Sequence, residues 1–414
     1  MVSVGNVAVV FAHPERNRSN DVYYEYHQNP NLYYLTGYRE PHSMVIIFKE
    51  PQRFKGDKIT ELLVVQPRDK GNEVWNGKRL GIEGAMDFLE FENVLLNKEF
   101  ADTEFDFSKI SNFLYLTPEN DMRDNTNNRG DLASLVRHFE RKIEKHKNNT
   151  DPRRLRTLMA DLREVKLPEE LALMRKAIDI TCVAQEELMK ALEPEMHEYE
   201  CEAMIEYVFK REGAEHPGFP SILGGGENSC TLHYVTNRKH LHDGDVLVAD
   251  IGAEYHGYTA DVTRTMPVNG KFSPEQKEIY NLVLIAQRAG IQACKPGNRF
   301  WAANEAARGE IGRGLQKLGI IKYRSEVDKY FMHGTSHYLG LDVHDAGNHG
   351  DLVAGNVITV EPGIYIPEGS DCDPKWWNIG VRIEDDILIT RTGYENLSDC
   401  VPKTIPMVEA LMAE

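Results

Sequence analysis

GDVLVADIGAEYHGYTADVTRT, from Gly244 to Thr265, is the stretch that decides how this sequence folds. Its apolar run, Val246 to Ala249, predicts a buried strand that delivers Asp250. A glycine-rich turn from Ile251 to Gly257 then leads to a second segment, which presents Asp261. Burying two carboxylates on adjacent strands costs free energy unless a cation lies between them. The stretch therefore predicts a hairpin that carries half of a cation site.

The same order of residues returns later in the chain. GNVITVEPG, residues 355–363, repeats glycine, apolar run, acid and glycine at the offsets of Gly244 to Gly252. The acid of this repeat is Glu361, and a second acid, Glu384, follows in GVRIEDDILIT. Any one of these acids alone would more often cap a turn or pair with a nearby arginine. Two repeats with an acid at the same place instead indicate related halves that each contribute two carboxylates to one metal centre.

A chain of 414 residues exceeds the usual size of one domain, so two domains are expected. Residues 1–165 alternate β-rich and helical segments, which predicts a smaller α/β domain. The composition shifts to helix formers from Pro152, and we place the boundary near residue 165. Residues 166–414 alternate helices with the acid-bearing strands, which predicts a larger α+β domain.

Hydrophobic periodicity gives the expected elements. Predicted helices cover Leu132–Lys145, Glu169–Leu192, Glu198–Glu212, Ser273–Cys294 and Trp301–Leu318. Predicted strands, besides those already described, cover Val7–Phe11, Ser43–Phe48, Glu61–Val65, Val381–Glu384 and Ile387–Ile389.

Composition excludes several classes of protein. A net charge of −17 argues against a nucleic-acid-binding surface, because such surfaces neutralise phosphates with Lys and Arg. The N-terminal residues show no signal-peptide pattern, and no apolar run is long enough to span a bilayer. The cysteines are scattered without a C-x-x-C pair, which predicts reduced packing thiols and a cytoplasmic protein. They are Cys182, Cys201, Cys230, Cys294, Cys372 and Cys400.

Four acids and one histidine make the candidate metal centre. The acids are Asp250, Asp261, Glu361 and Glu384, and the histidine comes from HGTSHYLGLDVHD, residues 333–345. Carboxylate oxygens with a single imidazole suit hard divalent ions such as Mn²⁺. Two such ions can share a water, lower its pKa and polarise a carbonyl group.

The identity of the histidine ligand stays open at this point. Most isolated histidines are packing residues, but His333, His337, His344 and His349 crowd one segment, and His233 lies in a second segment. His333 and His337 have the i, i+4 spacing of a helix face, yet the H-E-x-x-H zinc motif is not present. Spacing alone does not select one of them.

The sequence resembles the Xaa-Pro aminopeptidases (aminopeptidase P) among the pita-bread metallopeptidases, which include prolidase and methionine aminopeptidase. The resemblance runs nearly end to end, and it implies a C-terminal pita-bread (creatinase/aminopeptidase-like) domain. The smaller α/β N-terminal domain would then serve oligomerisation and substrate access. The stretches that carry the resemblance are RSND (18–21), YYLTGY (33–38), WNGKRLG (75–81), HGTSHYLGLDVHD (333–345), TVEPGIYI (359–366), DPKWWNIGVRIEDDI (373–387) and VPKTI (401–405).

The resemblance implies a full ligand set for two divalent ions, with Mn²⁺ as the favoured metal. Asp261 and Glu384 would bridge both ions, and Asp250 would hold one of them. His337 and Glu361 would hold the other. Glu361 would also accept a proton from the attacking water and pass it to the leaving nitrogen.

Further roles come from the same resemblance. His233 and His344 would stabilise the oxyanion that forms at the scissile carbonyl. His333 would line the pocket for the proline side of the bond, and Tyr365 and Arg382 would orient ligands and substrate.

The implied activity is removal of the N-terminal residue from peptides that have proline second. Prolidase, which is restricted to Xaa-Pro dipeptides, is the alternative enzyme. A non-catalytic peptide-binding protein of the same fold is a further alternative, which the five ligand positions argue against. The implied assembly is a homodimer or homotetramer in which Trp75 approaches a neighbouring active site. Trp376 and Trp377 form either a lid or an anchor for their loop.

Overall fold

The computed structural model describes residues 5–118, 130–146 and 148–414. The chain divides into two compact units, Met1–Ala160 and Asp161–Glu414, which we call unit 1 and unit 2. The division falls inside a helix, five residues before the position at which the sequence places the domain boundary. In the described residues, no helix combines the length and the apolar character that a bilayer crossing requires.

Unit 1 is built on one mixed sheet with strand order β6-β5-β4-β1-β7. Strand β1 is buried along its whole length and pairs antiparallel with β4 and parallel with β7. The strands of the unit are β1 (Asn6–Phe11), β2 (Asn17–Ser19), β3 (Val22–Tyr23), β4 (Met44–Phe54), β5 (Asp57–Val65), β6 (Val94–Leu96) and β7 (Asn112–Tyr115). The helices are α1 (Pro30–Thr36), α2 (Lys70–Asn76), α3 (Gly81–Leu89), α4 (Leu132–Lys142) and α5 (Pro152–Arg163), with 3₁₀ turns at Asn97–Asp102 and Glu144–His146.

Unit 2 surrounds several small antiparallel sheets with helices. Its helices are α6 (Pro168–Ala191), α7 (Glu198–Arg211), α8 (Pro274–Ala293), α9 (Ala302–Lys317) and α10 (Ile405–Leu411), with 3₁₀ turns at Gly226–Cys230, Arg324–Lys329 and Pro374–Trp376. Its strands are β8 (His216–Pro217), β9 (Ile222–Gly225), β10 (Val246–Ile251), β11 (Ala253–Tyr255), β12 (Tyr258–Thr259), β13 (Val262–Pro267), β14 (Val357–Val360), β15 (Gly363–Ile366), β16 (Ile379–Arg382), β17 (Asp385–Ile389) and β18 (Tyr394–Asn396).

The helix boundaries follow local capping chemistry. Helix α6 starts at Pro168, whose missing N–H costs nothing in the first turn. Helix α8 starts after Ser273, whose hydroxyl accepts the backbone N–H of Gln276 at 3.2 Å. The Gln276 side chain accepts the N–H of Ser273 at 2.8 Å in return, which completes a capping box. Helices α6 to α9 confirm the four helices that periodicity predicts in this part of the chain.

The two sequence repeats fold alike. Strands β10 and β13 pair antiparallel in the first repeat, and β14 and β17 pair antiparallel in the second. Gly244 and Gly355, which precede β10 and β14, have φ values of +87° and +98°. Residues that carry a side chain rarely adopt this backbone conformation, which explains why both repeats open with glycine. The repeated pattern thus specifies two equivalent strand pairs.

Two details of these repeats differ from the sequence-based expectation. The predicted turn from Ile251 to Gly257 contains strand β11, and the reversal itself is confined to His256 and Gly257, both at positive φ. Glu384 lies between β16 and β17 rather than within a strand, because its N–H donates to the carbonyl of Thr263 at 3.1 Å. That hydrogen bond joins the two repeats directly.

The cysteine prediction is wrong for one pair. Cys182 of α6 and Cys400 form a disulfide, although 218 residues separate them in the chain. Their proximity depends on tertiary folding, so the sequence spacing carries no sign of it. The remaining four cysteines are free thiols, as expected.

The loop of residues 368–378 is held by its own tryptophans. Trp376 is buried, and the indole N–H of Trp377 donates to the carbonyl of Ser370 at 3.1 Å. These contacts favour the anchoring role over the lid.

Candidate metal centre

The four predicted acids lie at strand ends or within a strand in unit 2. Asp250 is inside β10, opposite Thr263 of β13. Asp261 directly precedes β13, Glu361 directly follows β14, and Glu384 directly precedes β17. The strand pairs of the two repeats therefore bring acids from positions 250 to 384 into one region.

Three of the predicted ligands converge closely. Asp261, His337 and Glu384 each offer a donor atom, and these atoms lie within 4.8 Å of one another. The Nε2 atom of His337 is 3.3 Å from Oδ2 of Asp261 and 3.6 Å from Oε1 of Glu361. Asp261 and Glu384 are almost fully buried. The structure thus brings His337 against Asp261 and Glu361, and Nδ1 of His333 also lies 3.6 Å from Oε2 of Glu361.

The orientation of the His337 ring leaves one nitrogen available. Its Nδ1 atom lies 3.0 Å from the carbonyl oxygen of Tyr338. A carbonyl oxygen can only accept a hydrogen bond, so Nδ1 carries the ring proton in the neutral imidazole. The lone pair is then on Nε2, which faces Asp261. This is the arrangement of a metal-ligating histidine.

Asp250 is held differently from the other acids. Its Oδ2 accepts a hydrogen bond from Nη2 of Arg382 at 2.6 Å, so the alternative of arginine pairing applies to that oxygen. Among the residues that the structure describes, the other oxygen, Oδ1, has no hydrogen-bond partner although it is buried, and the same holds for Oδ1 of Asp261. Buried polar atoms without partners are rare. Both oxygens are therefore available to a cation.

The electrostatics of the cluster also indicate that its acids need a cation. Burial, together with Asp250, Asp386 and Glu361, raises the pKa of Asp261 well above its ordinary value. Burial also raises the pKa of Glu384, with Asp261 and Glu361 adding to the shift. Burial raises the pKa of Glu361 to about 7. The acids resist ionising together, and divalent cations would stabilise their charged forms.

The donor set accordingly fits divalent metal ions. Four carboxylates and one imidazole are oxygen-rich, as hard ions prefer, and no cysteine is among the donors. The unpartnered oxygens of Asp250 and Asp261 and the lone pair of His337 supply free coordination positions.

Two residues that the sequence analysis did not identify hold the acids in position. The Thr263 hydroxyl donates to Oε2 of Glu384 at 2.6 Å and accepts from Nε of Arg382 at 3.2 Å. The backbone N–H of Asp261 donates to Oδ2 of Asp386 at 3.2 Å. Thr263 and Asp386 stand beside the motif acids, but nothing in the sequence separates them from ordinary strand residues.

A hydrogen-bond chain connects three further predicted residues. Nη1 of Arg382 donates to the Tyr365 hydroxyl at 2.9 Å, and that hydroxyl is 2.9 Å from Nε2 of His333. The His333 Nδ1 atom is 2.8 Å from the carbonyl oxygen of Gly334, so Nδ1 is the donor and Nε2 accepts from the hydroxyl. Burial, with a contribution from Arg382, lowers the pKa of His333 to about 4. The imidazole is therefore neutral near pH 7.

The remaining two histidines lie on the more exposed side of the centre. The ring of His344 is 4.5 Å from that of His337, and burial lowers its pKa. His233 is exposed, and it is near enough to influence the pKa of both His333 and His344. The structure thus places the four histidines with predicted roles around one centre. They are His233, His333, His337 and His344.

A buried ion pair beside His344 was also missed. Asp345 accepts hydrogen bonds from Nη2 of Arg163 and from Nζ of Lys166, the latter at 2.8 Å. Asp345 follows His344 directly, so the two cations fix the backbone that carries this histidine. The partners lie about 180 residues away in the chain, and no local signal links them.

Comparison with known proteins identifies the family. Residues 172–391 match metallopeptidase family M24, and residues 1–103 match the N-terminal domain of aminopeptidase P. The Xaa-Pro aminopeptidase of Haemophilus influenzae is 38% identical over 418 residues, which cover 98% of this chain and 92% of the relative.

Solved structures agree over the full length. Proline aminopeptidase P II from Yersinia pestis has a TM-score of 0.87 at 36% identity and covers 100% of this chain and 96% of its own. Aminopeptidase P from Escherichia coli with the inhibitor Pro-Leu has a TM-score of 0.87 at 36% identity and covers 100% of this chain and 95% of its own.

The chain therefore belongs to metallopeptidase family M24, and it is a metal-dependent hydrolase with the pita-bread fold in its C-terminal part. Within that family it belongs with the aminopeptidase P proteins, as the N-terminal domain and the full-length relatives agree. The family resemblance and the fold class inferred from the sequence are both confirmed.

Proposed function

We propose that the cluster around Asp261, His337 and Glu384 is the catalytic centre of an Xaa-Pro aminopeptidase. The enzyme releases the N-terminal residue from peptides that have proline in the second position. One observation carries the proposal: three donors converge within 4.8 Å inside the stretch that matches family M24. The names of the full-length relatives supply the bond that is cleaved.

The proposed ligands of two divalent ions, with Mn²⁺ as the favoured metal, are Asp250, Asp261, His337, Glu361 and Glu384. Asp261 and Glu384 would be the ligands common to both ions, as the family resemblance implies, and they are the most deeply buried of the four acids and neighbour each other electrostatically. When bound, the ions supply a nucleophilic water of lowered pKa and polarise the scissile carbonyl.

Glu361 is the proposed proton carrier. Its Oε1 atom faces Nε2 of His337, and it lies 3.5 Å from the Thr359 hydroxyl, so one end of the carboxylate is oriented. The bond before proline is a tertiary amide, and its nitrogen must gain a proton before it leaves as an amine. A carboxylate beside the nucleophile accepts a proton and then donates it to that nitrogen.

His233 and His344 are the proposed donors to the oxyanion. The lowered pKa of His344 keeps its ring neutral near pH 7, and a neutral imidazole retains one N–H donor. Arg163 and Lys166 hold the adjacent Asp345, so the donor is positioned before substrate arrives. Preorganised donors of this kind stabilise developing charge without reorganisation.

The chain from Arg382 through Tyr365 to His333 is the proposed link between ligand and substrate. Arg382 holds one oxygen of Asp250, and through the Tyr365 hydroxyl it also fixes the ring of His333. A neutral His333 ring offers a flat surface that can pack against a pyrrolidine ring. His333 therefore lines the proline side of the pocket.

Peptide length separates the proposal from its enzymatic alternative. An Xaa-Pro-Xaa tripeptide should be cleaved after its first residue by the Mn²⁺-loaded protein. Cleavage of Xaa-Pro dipeptides without any cleavage of the tripeptide would establish a prolidase instead.

Activity that survives complete chelation would refute the metal mechanism, and absence of turnover with every divalent metal would favour the non-catalytic alternative. Reconstitution with each metal in turn also identifies the favoured ion.

Homo-oligomerisation through unit 1 is also proposed. Val74, Trp75 and Phe88 are 81%, 85% and 79% exposed, and large exposed apolar groups of this kind mark interaction surfaces. Light scattering should find a dimer or tetramer, and Trp75→Ser should weaken it. A monomer at micromolar concentration would contradict this part.

The domain limits and the cellular location are two further proposals. The domain limits 1–165 and 166–414 stay a proposal, with oligomerisation and substrate access as the tasks of the first domain. The cytoplasmic location stays a prediction. The disulfide between Cys182 and Cys400 weakens its argument from reduced cysteines, because structural disulfides are typical of oxidising compartments.

A further inference from the structure

Unit 2 holds a second set of side chains with metal-binding chemistry. Among the described residues, Glu195, His240 and His242 offer one carboxylate oxygen and two ring nitrogens within 4.8 Å of one another. His197 lies beside them, with its ring centroid 4.9 Å from that of His240. We call these four residues the histidine face. None of them belongs to the catalytic cluster.

Backbone register explains why these side chains meet. His197 and His240 form an antiparallel bridge, and Glu195, in the turn just before His197, has a carboxylate oxygen 3.3 Å from Nε2 of His240. Alternate residues of an extended segment point to the same side. His240 and His242 therefore share one side of their segment, and His197 lies opposite His240. The ring centroids of His240 and His242 are 4.9 Å apart, in keeping with this arrangement.

The two segments are fixed to each other by hydrogen bonds. The N–H of Glu195 donates to the carbonyl of Leu241 at 2.9 Å, and the N–H of Leu241 donates to the carbonyl of Met196 at 2.8 Å. Glu195 has a φ of +73°, a conformation that non-glycine residues seldom adopt. The surrounding bonds hold the backbone of this residue in place beside the segment that carries the two histidines.

The donor types select a class of ion. Two imidazoles and a carboxylate form the mixed nitrogen and oxygen set of zinc sites, whereas Mn²⁺ favours oxygen-rich sets. Donors about 2.1 Å from a tetrahedral zinc ion lie about 3.4 Å apart. Separations of at most 4.8 Å can close to that value by side-chain rotation, because Glu195 and His242 are exposed.

A simple ion pair is the competing explanation. His240 Nε2 is 3.3 Å from a carboxylate oxygen of Glu195, which a protonated histidine would satisfy. Unit 2 contains such a pair elsewhere, since His256 Nδ1 is 3.0 Å from Glu215. The ion-pair explanation does not account for His242 and His197, whose rings both approach the same imidazole.

We infer that Glu195, His240 and His242 bind one divalent transition-metal ion of the zinc class, separate from the catalytic centre. His197 packs against this site, with its own Nδ1 directed to Glu200 at 3.2 Å. The ion ties the turn after α6 to the segment just before β10. That segment is already fixed by Lys239, whose Nζ contacts Asp245 at 3.1 Å. The site thus secures the entry to the strand that carries Asp250.

Zinc content of the Mn²⁺-loaded enzyme tests the inference. Wild type, His240→Ala and His242→Ala are dialysed against Zn²⁺ with Mn²⁺ in excess, and bound zinc is measured by mass spectrometry. Wild type should retain one zinc equivalent more than either variant, and its affinity for this equivalent should exceed theirs at least tenfold. Any exchange at the catalytic centre occurs equally in all three proteins and cancels in the comparison.

Two controls sharpen the result. His256→Asn breaks the plain histidine–glutamate pair, and asparagine tolerates the positive φ of that position, so this variant should bind zinc like wild type. All variants should keep wild-type peptidase activity with Mn²⁺, which shows that they are folded. Equal zinc content in wild type, His240→Ala and His242→Ala would overturn the inference and leave an ion pair.

Discussion

The Nε2 atom of His337 lies 3.3 Å from Oδ2 of Asp261, and the other ring nitrogen of His337 is committed to the carbonyl of Tyr338. The ring can therefore present a lone pair only toward the acids. Because Asp261 belongs to the first repeat and His337 precedes the second, a metal ion shared by them would join separate parts of unit 2. This pair is the basis of the first prediction.

Removal of either proposed bridging carboxylate should abolish metal binding and turnover. Asp261→Ala or Glu384→Ala would take away a proposed ligand of both ions, and bound ions would supply several kcal/mol of transition-state stabilisation. The kcat should therefore fall by about a thousandfold or more. Metal analysis and hydrolysis of an Xaa-Pro-Xaa peptide check this. Glu395→Ala, which breaks only an exposed pair with Arg175, should keep both properties, and a metal-replete, active Asp261→Ala enzyme would contradict the ligand assignment.

Stability of the metal-free protein should fall as pH rises from about 5 to 7. The pKa of Glu361 is raised by burial to about 7, above its ordinary value of 4.5, so the folded state holds a proton that the unfolded state releases in this interval. Since the folded state then binds more protons, the free energy of unfolding decreases with pH. Asp261 and Glu384 have pKa values raised in the same direction.

Bound metal should reverse this trend, because the ions must displace those protons. The difference in unfolding midpoint between Mn²⁺-loaded and chelated protein should widen as pH rises. Differential scanning fluorimetry across that interval measures it, and Glu361→Gln should flatten the slope of the chelated protein. A difference that stays constant with pH would refute proton displacement.

Tyr365→Phe should impair catalysis without emptying the metal centre. The substitution removes the hydroxyl that accepts from Arg382 and donates to His333, while the ligands themselves remain. Loss of such an orienting group typically costs about 10- to 100-fold. The kcat for an Xaa-Pro-Xaa peptide should fall in that range, with metal content near wild type. Tyr323→Phe, at an exposed position, is the control, and unchanged kinetics in Tyr365→Phe would show that the chain is dispensable.

Asp385→Asn should destabilise the fold strongly. Burial acts to raise the pKa of Asp385, but Arg264 and Lys403 outweigh it and hold that pKa at about 2. Removing the charge leaves the buried Arg264 guanidinium uncompensated, which costs about 3–5 kcal/mol of unfolding free energy. Urea unfolding measures it.

The same ion pair sets the lowest pH at which the fold keeps its full stability. A lowered pKa means that the contribution of Asp385 is complete above its ordinary value of 3.8 and is lost as pH falls toward 2. The exposed pair of Arg175 and Glu395 is the matched comparison, since Glu395→Gln should cost at most about 1 kcal/mol. Equal effects of the two substitutions would contradict the assignment.

The repeat shows how far the sequence alone could lead. Glycine, apolar run and acid are local signals, and they predicted strands β10 and β14 with acids at or after their ends. Hydrophobic periodicity likewise predicted the start of α6 and α8 within one residue, and local capping residues explain both starts. These features succeed because neighbouring residues determine them.

Contacts between distant residues could not be predicted in the same way. The pairing of Asp345 with Arg163 and Lys166 and the disulfide of Cys182 with Cys400 depend on how whole elements pack. The choice of His337 over its neighbours needed either the family resemblance or the ring orientation, because spacing left it open. The histidine face likewise required the register of two distant segments.

The hydrogen bond from Glu384 to Thr263 has a consequence for how the protein matures. Asp250 and Asp261 leave the ribosome long before Glu361 and Glu384. A nascent chain therefore first exposes only the two acids of the first repeat, which repel each other. The proposed ions could hold these acids together only after the second repeat has docked. Metal binding would therefore be a late event in biogenesis, and a chain truncated before Glu361 would lack the ligands for it.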